Sequence, residues 1–255
     1  MDKRISSMLE KIEQEENVTI LHCVESGSRA WGFPSPNSDY DVRFVYLRKP
    51  DDYLKLEKTR DVIQRPLDET LDISGWDLQK TLRLLQRSNP TVFEWNASPI
   101  IYKTTQAWSK MQPLLASCFS KKKCMHHYLG MARSSERSYL RGETVRVKKY
   151  LYALRSLLAC HWILVYGTPP PVALGELTEA CLPRYLQDEV LRLIELKNYG
   201  LESAECARIP LLSDYMSLSI QWLTKAIEDL PDEPEQEWRA LDEAFRSQIH
   251  LEEAS

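Results

Sequence analysis

Two aspartates, Asp39 and Asp41, flank Tyr40 in a stretch that follows a Gly27-Ser28 turn. Side chains on a β-strand alternate between its faces, so on a strand both carboxylates would project from the same side. Two like charges that close together repel unless a cation lies between them. A hard divalent ion such as Mg2+ or Mn2+ takes oxygen ligands and leaves room for substrate phosphates. The spacing therefore predicts a metal site for phosphoryl or nucleotidyl transfer.

A third carboxylate stands in a later apolar stretch. Asp72 lies between Leu71 and Ile73, in a segment with the pattern of a strand. A lone charge in such a strand is costly without a metal or a charged partner. We therefore expect Asp72 to share two metal ions with Asp39 and Asp41. In that position Asp72 could be the base that takes a proton from the attacking hydroxyl.

The segment before the two aspartates is suited to binding a triphosphate. Residues 18–24 are mostly apolar and are predicted to form a strand that runs into the Gly27-Ser28 turn. Glycine lets the backbone approach a phosphate closely, and the Ser28 hydroxyl can donate to it. A short helix starting at Arg29 would point its N-terminus at the anion. The guanidinium groups of Arg29 and Arg43 suit bidentate phosphate contacts, with surface ion pairs as the alternative.

The pattern of apolar residues changes near residue 100. Before it, short apolar strands alternate with breaks rich in Pro, Asn and Asp, and a helix capped by Asp77 follows the strand of Asp72. After Pro99 the apolar residues recur at helical spacing. The predicted helices cover residues 104–119, 121–140, 144–166, 174–198 and 213–229, and a final amphipathic helix contains Trp238, Leu241 and Phe245.

The helix predicted over residues 144–166 carries a cationic and aromatic face. Lys148, Tyr152 and Arg155 follow i, i+4, i+7 spacing and share one face, as do Lys149 and Tyr152. Such a face beside a catalytic sheet could bind a triphosphate and stack on a base. We expect Lys149 and Arg155 to be exposed. The alternative is a solvated basic surface with Tyr152 packed beneath it.

The order of these motifs resembles that of the DNA polymerase β-like nucleotidyltransferase superfamily, in which a Gly-Ser turn precedes an Asp-x-Asp strand and a later apolar-Asp-apolar strand. More narrowly, residues 26–32, 38–43 and 72–77 are similar to motifs of the predicted bacterial and phage nucleotidyltransferases associated with RNA repair. Residues 148–155 are similar to a helical motif of the same narrower family.

The resemblance implies an α+β protein with a polymerase β-like nucleotidyltransferase domain and a mixed sheet over residues 1–100. An α-helical bundle domain that binds nucleotide or acceptor would follow over residues 101–255. The implied reaction uses Mg2+ or Mn2+ to move a nucleoside monophosphate from an NTP, ATP among them, to an acceptor hydroxyl, with release of pyrophosphate. The resemblance implies that Gly27 and Ser28 match the triphosphate turn of the superfamily. It also implies that Asp39 and Asp41 match the metal-binding pair and that Asp72 matches the third carboxylate.

Composition indicates a protein able to bury a large core. The chain has 255 residues, 43% of them hydrophobic, and a net charge of -4, which argues against nonspecific nucleic-acid binding as its main role. It has neither a signal-like start nor a long apolar span, so we expect a cytoplasmic location without a membrane partner. The six cysteines have no C-x-x-C spacing, which predicts reduced thiols. The sequence has one cluster of candidate zinc ligands, Cys118, Cys124, His126 and His127. Their spacing does not match that of a zinc finger.

Several alternatives stay open. The acceptor could be RNA, a protein side chain or a small molecule, and a catalytically silent nucleotide-sensing or RNA-binding protein could have the same fold. Arg155 and His161 are similar to the Arg/His pair of HEPN-type ribonucleases. Their spacing, however, places the two side chains about 120° apart around a helix. Three aromatic residues could stack on a nucleotide base, but we expect them to pack in the core instead. They are Trp31, Phe33 and Trp76.

Overall fold

The structure is a computed structural model that describes residues 1–66, 70–140, 142–200, 204–233 and 237–253. Up to residue 117 its elements are α1 (Asp2–Glu16), β1 (Val18–Ser26), α2 (Gly27–Ala30), β2 (Tyr40–Arg48), α3 (Pro50–Tyr53), β3 (Val62–Gln64), β4 (Leu71–Asp77), α4 (Leu78–Gln86), α5 (Pro90–Asn96), β5 (Ile101–Thr104), α6 (Gln106–Ser109) and α7 (Gln112–Ser117). The later elements are α8 (Lys121–Tyr139), β6 (Thr144–Arg146), α9 (Val147–Tyr166), α10 (Leu174–Cys181), α11 (Arg184–Tyr199), β7 (Glu205–Ala207), α12 (Pro210–Glu228) and α13 (Trp238–Glu253). None of the described helices is long and apolar enough to cross a membrane.

Five strands form a mixed sheet in the order β3-β4-β2-β1-β5. The central strand β2 pairs in parallel with β4 and antiparallel with β1. The outer strands β3 and β5 pair antiparallel with β4 and β1. This mixed sheet, with most helices later in the chain, confirms the predicted α+β class. The sheet includes residues beyond position 100, because β5 is its fifth strand.

Internal contacts divide the chain into two units. The sheet unit contains Met1–Gly27, the described residues of Asp39–Cys118, and α13. The helical unit contains Ser28–Ser38 and the described residues from Phe119 to Glu233. The division predicted at residue 100 rested on a change in periodicity, whereas the units are defined by packing and are discontinuous in sequence. The catalytic and binding roles assigned to the two parts of the chain stay predictions.

One face of the sheet is covered by α1. Its buried residues Ile5, Leu9 and Ile12 belong to one apolar cluster with Val42 and Phe44 of β2. Because side chains alternate along a strand, the residues of β2 between these apolar positions project from the other face. The apolar residues of β2 that join this cluster thus decide which side of the sheet carries its polar side chains.

The strand β4 leads directly into α4 at Asp77. The Asp77 carboxylate accepts a hydrogen bond of 2.8 Å from the Gln79 N–H, which confirms the predicted N-cap. The final helix, α13, packs against α4 and contributes the buried Leu241. Its Phe245 ring lies 5.0 Å from the ring of Tyr53. The predicted final amphipathic helix is therefore confirmed, and its apolar side packs within the sheet unit.

The helical unit is built around α9. Helices α8, α10, α11 and α12 all contact α9, and their buried apolar residues form one core. The helix predicted over residues 144–166 begins only at Val147, because residues 144–146 form β6 and pair with β7. The helix predicted over residues 174–198 is interrupted at Pro183, which is the N-cap of α11. The helix predicted over residues 104–119 is replaced by β5, α6 and α7.

Candidate active site

Asp41 and Asp72 are paired positions on the parallel strands β2 and β4. The Nη2 atom of Arg43 donates to Asp41 Oδ1 at 2.8 Å and to Asp72 Oδ2 at 2.6 Å. Arg43 Nη1 also donates to the Asp72 carbonyl at 2.8 Å. The side chains are partly exposed, at 29% for Asp41, 30% for Asp72 and 18% for Arg43. Both carboxylates therefore face the same side of the sheet, and one guanidinium supplies their counter-charge.

Gly27 brings the turn after β1 against Asp41. Its φ of 61° lies in the left-handed region, where side chains with a Cβ are disfavoured. A Cβ added to Gly27 would lie 2.0 Å from Asp41 Oδ2, which is far inside van der Waals contact. Glycine is thus required twice, by the backbone conformation and by the close approach of the carboxylate. The sequence predicted a close approach to a phosphate, and the structure shows one to Asp41.

Glu25 is a residue of the site to which the sequence interpretation gave no role. It is fully buried, and its Oε1 accepts a hydrogen bond of 2.9 Å from the Asp41 N–H. Its Oε2 accepts one of 2.6 Å from the Tyr102 hydroxyl. Burial, and then the nearby Glu25 carboxylate, raise the pKa of Tyr102 well above its usual value, so the phenol stays protonated. Glu25 therefore fixes the backbone at Asp41, and an acid ending an apolar strand was its signal in the sequence.

Asp39 lies one residue before β2, which begins at Tyr40, and its side chain is exposed. Within the ranges that the structure describes, no group of three or more His, Cys, Asp or Glu side chains is arranged to hold a metal. The geometry does bring Asp41 and Asp72 together around Arg43. Carboxylate oxygens are the donors that a hard divalent cation prefers, so the pair fits such an ion chemically. Metal binding by Asp39, Asp41 and Asp72 stays a prediction.

Ser28 and Arg29 belong to the helical unit, in a segment that closes on itself. Ser28 is buried, and its carbonyl accepts a hydrogen bond of 3.0 Å from the Phe33 N–H. Arg29 Nη2 donates to the Ser38 carbonyl at 2.7 Å, which joins the two ends of the segment. The fully buried Lys197 of α11 contacts Ser38 Oγ at 3.4 Å. The spacer between the Gly-Ser turn and the aspartates is therefore an ordered part of the helical unit.

The lysines at the start of α9 are half-buried rather than fully solvated. The ammonium group of Lys149 lies 3.8 Å from the centre of the Tyr139 ring, a cation–π distance. Lys148 precedes it on the first turn of α9. The role of both lysines in nucleotide binding stays a prediction.

Arg155 is buried, so the expectation that it is exposed is wrong. Only 2% of Arg155 is exposed, its Nε donates to the Val172 carbonyl at 3.0 Å, and its guanidinium lies 4.4 Å from the centre of the Trp31 ring. Tyr152 meets the same Trp31 ring edge-on at 5.0 Å. Phe33 is fully buried in this core, which confirms core packing for it and for Trp31. The aromatic and cationic residues of α9 thus hold the segment of Trp31.

The chain is similar to several known proteins. The sequence model of the RNA repair pathway DNA polymerase beta family, RlaP, matches residues 1–247. The uncharacterized protein YcgL of Bacillus subtilis (strain 168) is 42% identical over 235 residues, which cover 91% of this chain and 90% of that protein. A nucleotidyltransferase-like protein from Exiguobacterium sibiricum 255-15 has a solved structure that is 14% identical, with a TM-score of 0.30, covering 95% of this chain and 78% of that one.

Proposed function

Because the chain belongs to the RNA repair pathway DNA polymerase beta family, we propose that it is a metal-dependent nucleotidyltransferase. It transfers a nucleoside monophosphate from an NTP to an acceptor hydroxyl, with RNA as the acceptor, and works in the cytoplasm. The observation that carries the proposal is the pairing of Asp41 with Asp72 on one face of the sheet, around Arg43. Such a pair is preformed, so its oxygen donors need little rearrangement to bind a cation.

Asp39, Asp41 and Asp72 are the residues that would hold Mg2+ or Mn2+. A bound divalent ion would act as a Lewis acid on the phosphate oxygens. Asp72 offers a carboxylate oxygen for this chemistry, because its Oδ1 accepts no hydrogen bond from the described residues while Oδ2 is bound by Arg43. Arg43 keeps the two carboxylates side by side, and Glu25 holds the backbone of Asp41.

The proposed transfer begins when Asp72 takes the proton of the acceptor hydroxyl. The hydroxyl oxygen forms a bond to the α-phosphorus, the bond from that phosphorus to the bridging oxygen breaks, and pyrophosphate leaves with the electron pair. The Gly27 turn and the Ser28 hydroxyl bind the triphosphate in this proposal. The other proposed nucleotide contacts come from Arg29, Arg43, Lys148, Lys149 and Tyr152, whereas the buried Arg155 is left out of the proposed contacts.

A catalytically silent nucleotide-binding or RNA-binding protein is the second candidate. One observation favours it: the guanidinium of Arg43 already offsets one of the two negative charges of Asp41 and Asp72 and bonds to both, so the fold does not depend on a metal to hold these carboxylates together. The two candidates differ in a single measurable property, which is the formation of a covalent bond between the nucleotide and an acceptor.

The test is incubation of the protein with each α-labelled NTP, Mg2+ or Mn2+, and a panel of RNAs. We expect labelled product with wild type and a loss of at least about 100-fold with Asp41→Asn, which removes a charge from the electrostatic centre of the site. Glu16→Gln is the matched control, because Glu16 is 32% exposed and pairs with Arg65 in the same unit. Cell extract as acceptor distinguishes RNA from proteins and small molecules.

Two results would contradict this proposal, the first its activity and the second its site. One is nucleotide binding by wild type without labelled product for any acceptor, which would support the silent protein instead. The other is equal turnover in wild type, Asp41→Asn and Glu16→Gln, which would remove Asp41 from the mechanism. Circular dichroism of the variants shows whether the fold is retained.

A further inference from the structure

A cavity of about 270 Å³ lies in the sheet unit, at the end of β2 and β4 that is opposite to Asp41 and Asp72. It is lined by Arg48 and Asp77, the last residues of these two strands, and by the loop between α3 and β3. Arg48 is seven residues beyond Asp41 on β2, which corresponds to about 23 Å along a strand. The cavity is therefore separate from the candidate active site.

The loop that forms the cavity wall is tied to the sheet by its backbone. The carbonyl of Arg60 accepts hydrogen bonds from Arg48 Nη2 at 3.2 Å and from the Tyr46 hydroxyl at 3.3 Å. The carbonyl of Asp61 accepts one of 3.0 Å from the Asp77 N–H. These three bonds hold the end of the loop against the ends of β2 and β4. The cavity is thus part of the folded structure rather than a gap between loosely held side chains.

The acidic groups of the cavity are mostly engaged. Asp52 pairs with Lys55 at 2.5 Å, and Asp61 pairs with Lys80 at 3.3 Å. The Asp77 carboxylate accepts hydrogen bonds from the Tyr53 hydroxyl and from the N-terminus of α4. Glu57, on the exposed loop, is the remaining carboxylate of the lining.

The cationic groups of the cavity are less engaged than the acidic ones. Among the residues that the structure describes, the lining side chains without a carboxylate within ion-pair distance are Arg48, Lys58, Arg60 and Arg83. Arg83 donates to the neutral amide oxygen of Gln79. These four cations outnumber the two described lining carboxylates without a cation within ion-pair distance, Asp77 and Glu57, so the uncompensated charge is positive and favours an anionic ligand.

Among these cations, Arg48 gives the strongest indication of an anionic ligand. It is only 8% exposed, and its buried Nε has no hydrogen-bond acceptor. Among the described residues, its guanidinium donates to the carbonyl of Arg60, lies 5.2 Å from the centre of the Tyr46 ring, and interacts with the Asp77 carboxylate from beyond ion-pair distance. A buried guanidinium without a carboxylate within ion-pair distance is costly, and each unsatisfied buried donor needs a physical explanation. A phosphate in the cavity would supply the missing counter-charge.

We propose that this cavity is a phosphate-binding site, built around Arg48 and Arg83 and distinct from the site of nucleotidyl transfer. Arginine matches phosphate because its planar fork can donate two parallel hydrogen bonds. The bound group is either a backbone phosphate of the acceptor RNA or a free phosphate. The RNA source rests on the proposed function, whereas the anion site itself does not. With RNA as the source, the site would hold the acceptor strand at a distance from its reacting end.

The RNA arm of the test uses fluorescence anisotropy with a labelled single-stranded RNA over a series of salt concentrations. Arg83→Gln should weaken binding about tenfold at low salt and lower the slope of log affinity against log salt by about one. Arg87→Gln is the matched control, because it removes the same charge from an exposed arginine one turn further along the chain and outside the cavity. Unchanged affinity and slope for Arg87→Gln are expected.

The free-phosphate arm measures the melting temperature in inorganic phosphate and in chloride at equal ionic strength. Phosphate should raise the melting temperature of wild type and of Arg87→Gln, and the rise should be lost in Arg48→Met and Arg83→Gln. A phosphate effect without an RNA effect assigns the site to free phosphate. Identical behaviour of Arg83→Gln and Arg87→Gln in both arms overturns the proposal. Nucleotidyl transfer by the same wild-type preparation is recorded separately, so its failure would refute the proposed function and leave the phosphate result standing.

Discussion

Asp41 and Asp72 lie at the same level of two parallel strands and share one guanidinium group, that of Arg43. Neighbouring strands are about 4.8 Å apart, so the two carboxylates are close enough to repel each other strongly. Arg43 offsets this repulsion by donating one short charge-assisted hydrogen bond to each carboxylate. The stability of this part of the sheet is therefore coupled to whatever cation lies between the two acids.

We expect Arg43→Gln to lower the stability of the protein by about 1 to 2 kcal/mol, since its partly exposed ion pairs are screened by solvent. Mg2+ should restore more stability to Arg43→Gln than to wild type, because the two carboxylates then lack their internal cation. Urea unfolding with and without Mg2+ measures both effects. Arg65→Gln is the control, because Arg65 also pairs with two acids, Glu15 and Glu16. A Mg2+ response of the same size in all three proteins would contradict metal binding by this pair.

Gly27→Ala should abolish metal and nucleotide binding, because the new Cβ would lie 2.0 Å from Asp41 Oδ2 and displace that carboxylate. The left-handed backbone adds a strain of about 1 to 2 kcal/mol. Gly32→Ala separates the two effects, since Gly32 also has a positive φ but its Cβ would have no neighbour within 4 Å. Calorimetry with Mn2+ and NTP should show binding by Gly32→Ala only. Loss of binding in both variants would show that backbone strain alone explains the effect.

Arg155→Ala should lower the free energy of unfolding by about 2 to 4 kcal/mol, because it removes a buried guanidinium held by Trp31 and the Val172 carbonyl. Lys149→Ala, a half-buried neighbour on α9, should cost less than about 1 kcal/mol. Thermal and urea unfolding of both variants provide the comparison. NTP calorimetry on Lys149→Ala then tests the lysine as a nucleotide contact, and an affinity equal to wild type would exclude it.

Stability should fall as the pH drops below about 6.5, in part because of His22. Burial lowers the pKa of His22, against the smaller opposing effect of the Trp95 carbonyl, and its ring stacks on Trp108. His22 is thus neutral when folded but charges near pH 6.5 when unfolded. Its stabilisation is complete above the unfolded pKa and is lost as the pH falls towards the folded value. The raised pKa of the buried Asp77 acts in the opposite direction.

Urea unfolding of wild type and His22→Gln at several pH values between about 7.5 and 5 tests this titration. A single group contributes a slope of at most about 1.4 kcal/mol per pH unit. We expect the slope to decrease in His22→Gln, while Asp77, His127 and His161 contribute equally to both proteins. Parallel stability curves for the two proteins would show that His22 does not titrate on unfolding.

The local part of this fold could be predicted from the sequence because it depends on neighbouring residues. The strand over residues 18–24, the N-cap at Asp77 and the helix over residues 121–140 follow from apolar spacing and capping chemistry. The short strands β5, β6 and β7 could not be predicted in this way. Each has three or four residues and exists because a distant segment pairs with it.

The candidate site shows the same limit. Gly27, Asp41 and Asp72 could be identified as site residues because the order of the motifs is a property of the sequence itself. The roles of Glu25 and Arg155 depend on what folds against them, and sequence spacing does not contain that information. The helical spacing of α9 gave the direction of Arg155 around the axis but not the presence of Trp31 on that side.

The discontinuous units also constrain the order in which the protein can form. The chain leaves the sheet unit after Gly27, returns at Asp39, and supplies α13 only after the helical unit has been made. On a ribosome, β1 and β2 therefore emerge joined by a segment whose Phe33 has no core to enter until α8 and α9 follow. The core that Phe33 enters is thus made long after Phe33 itself, and a fragment cut near residue 100 would leave this apolar side chain without that core.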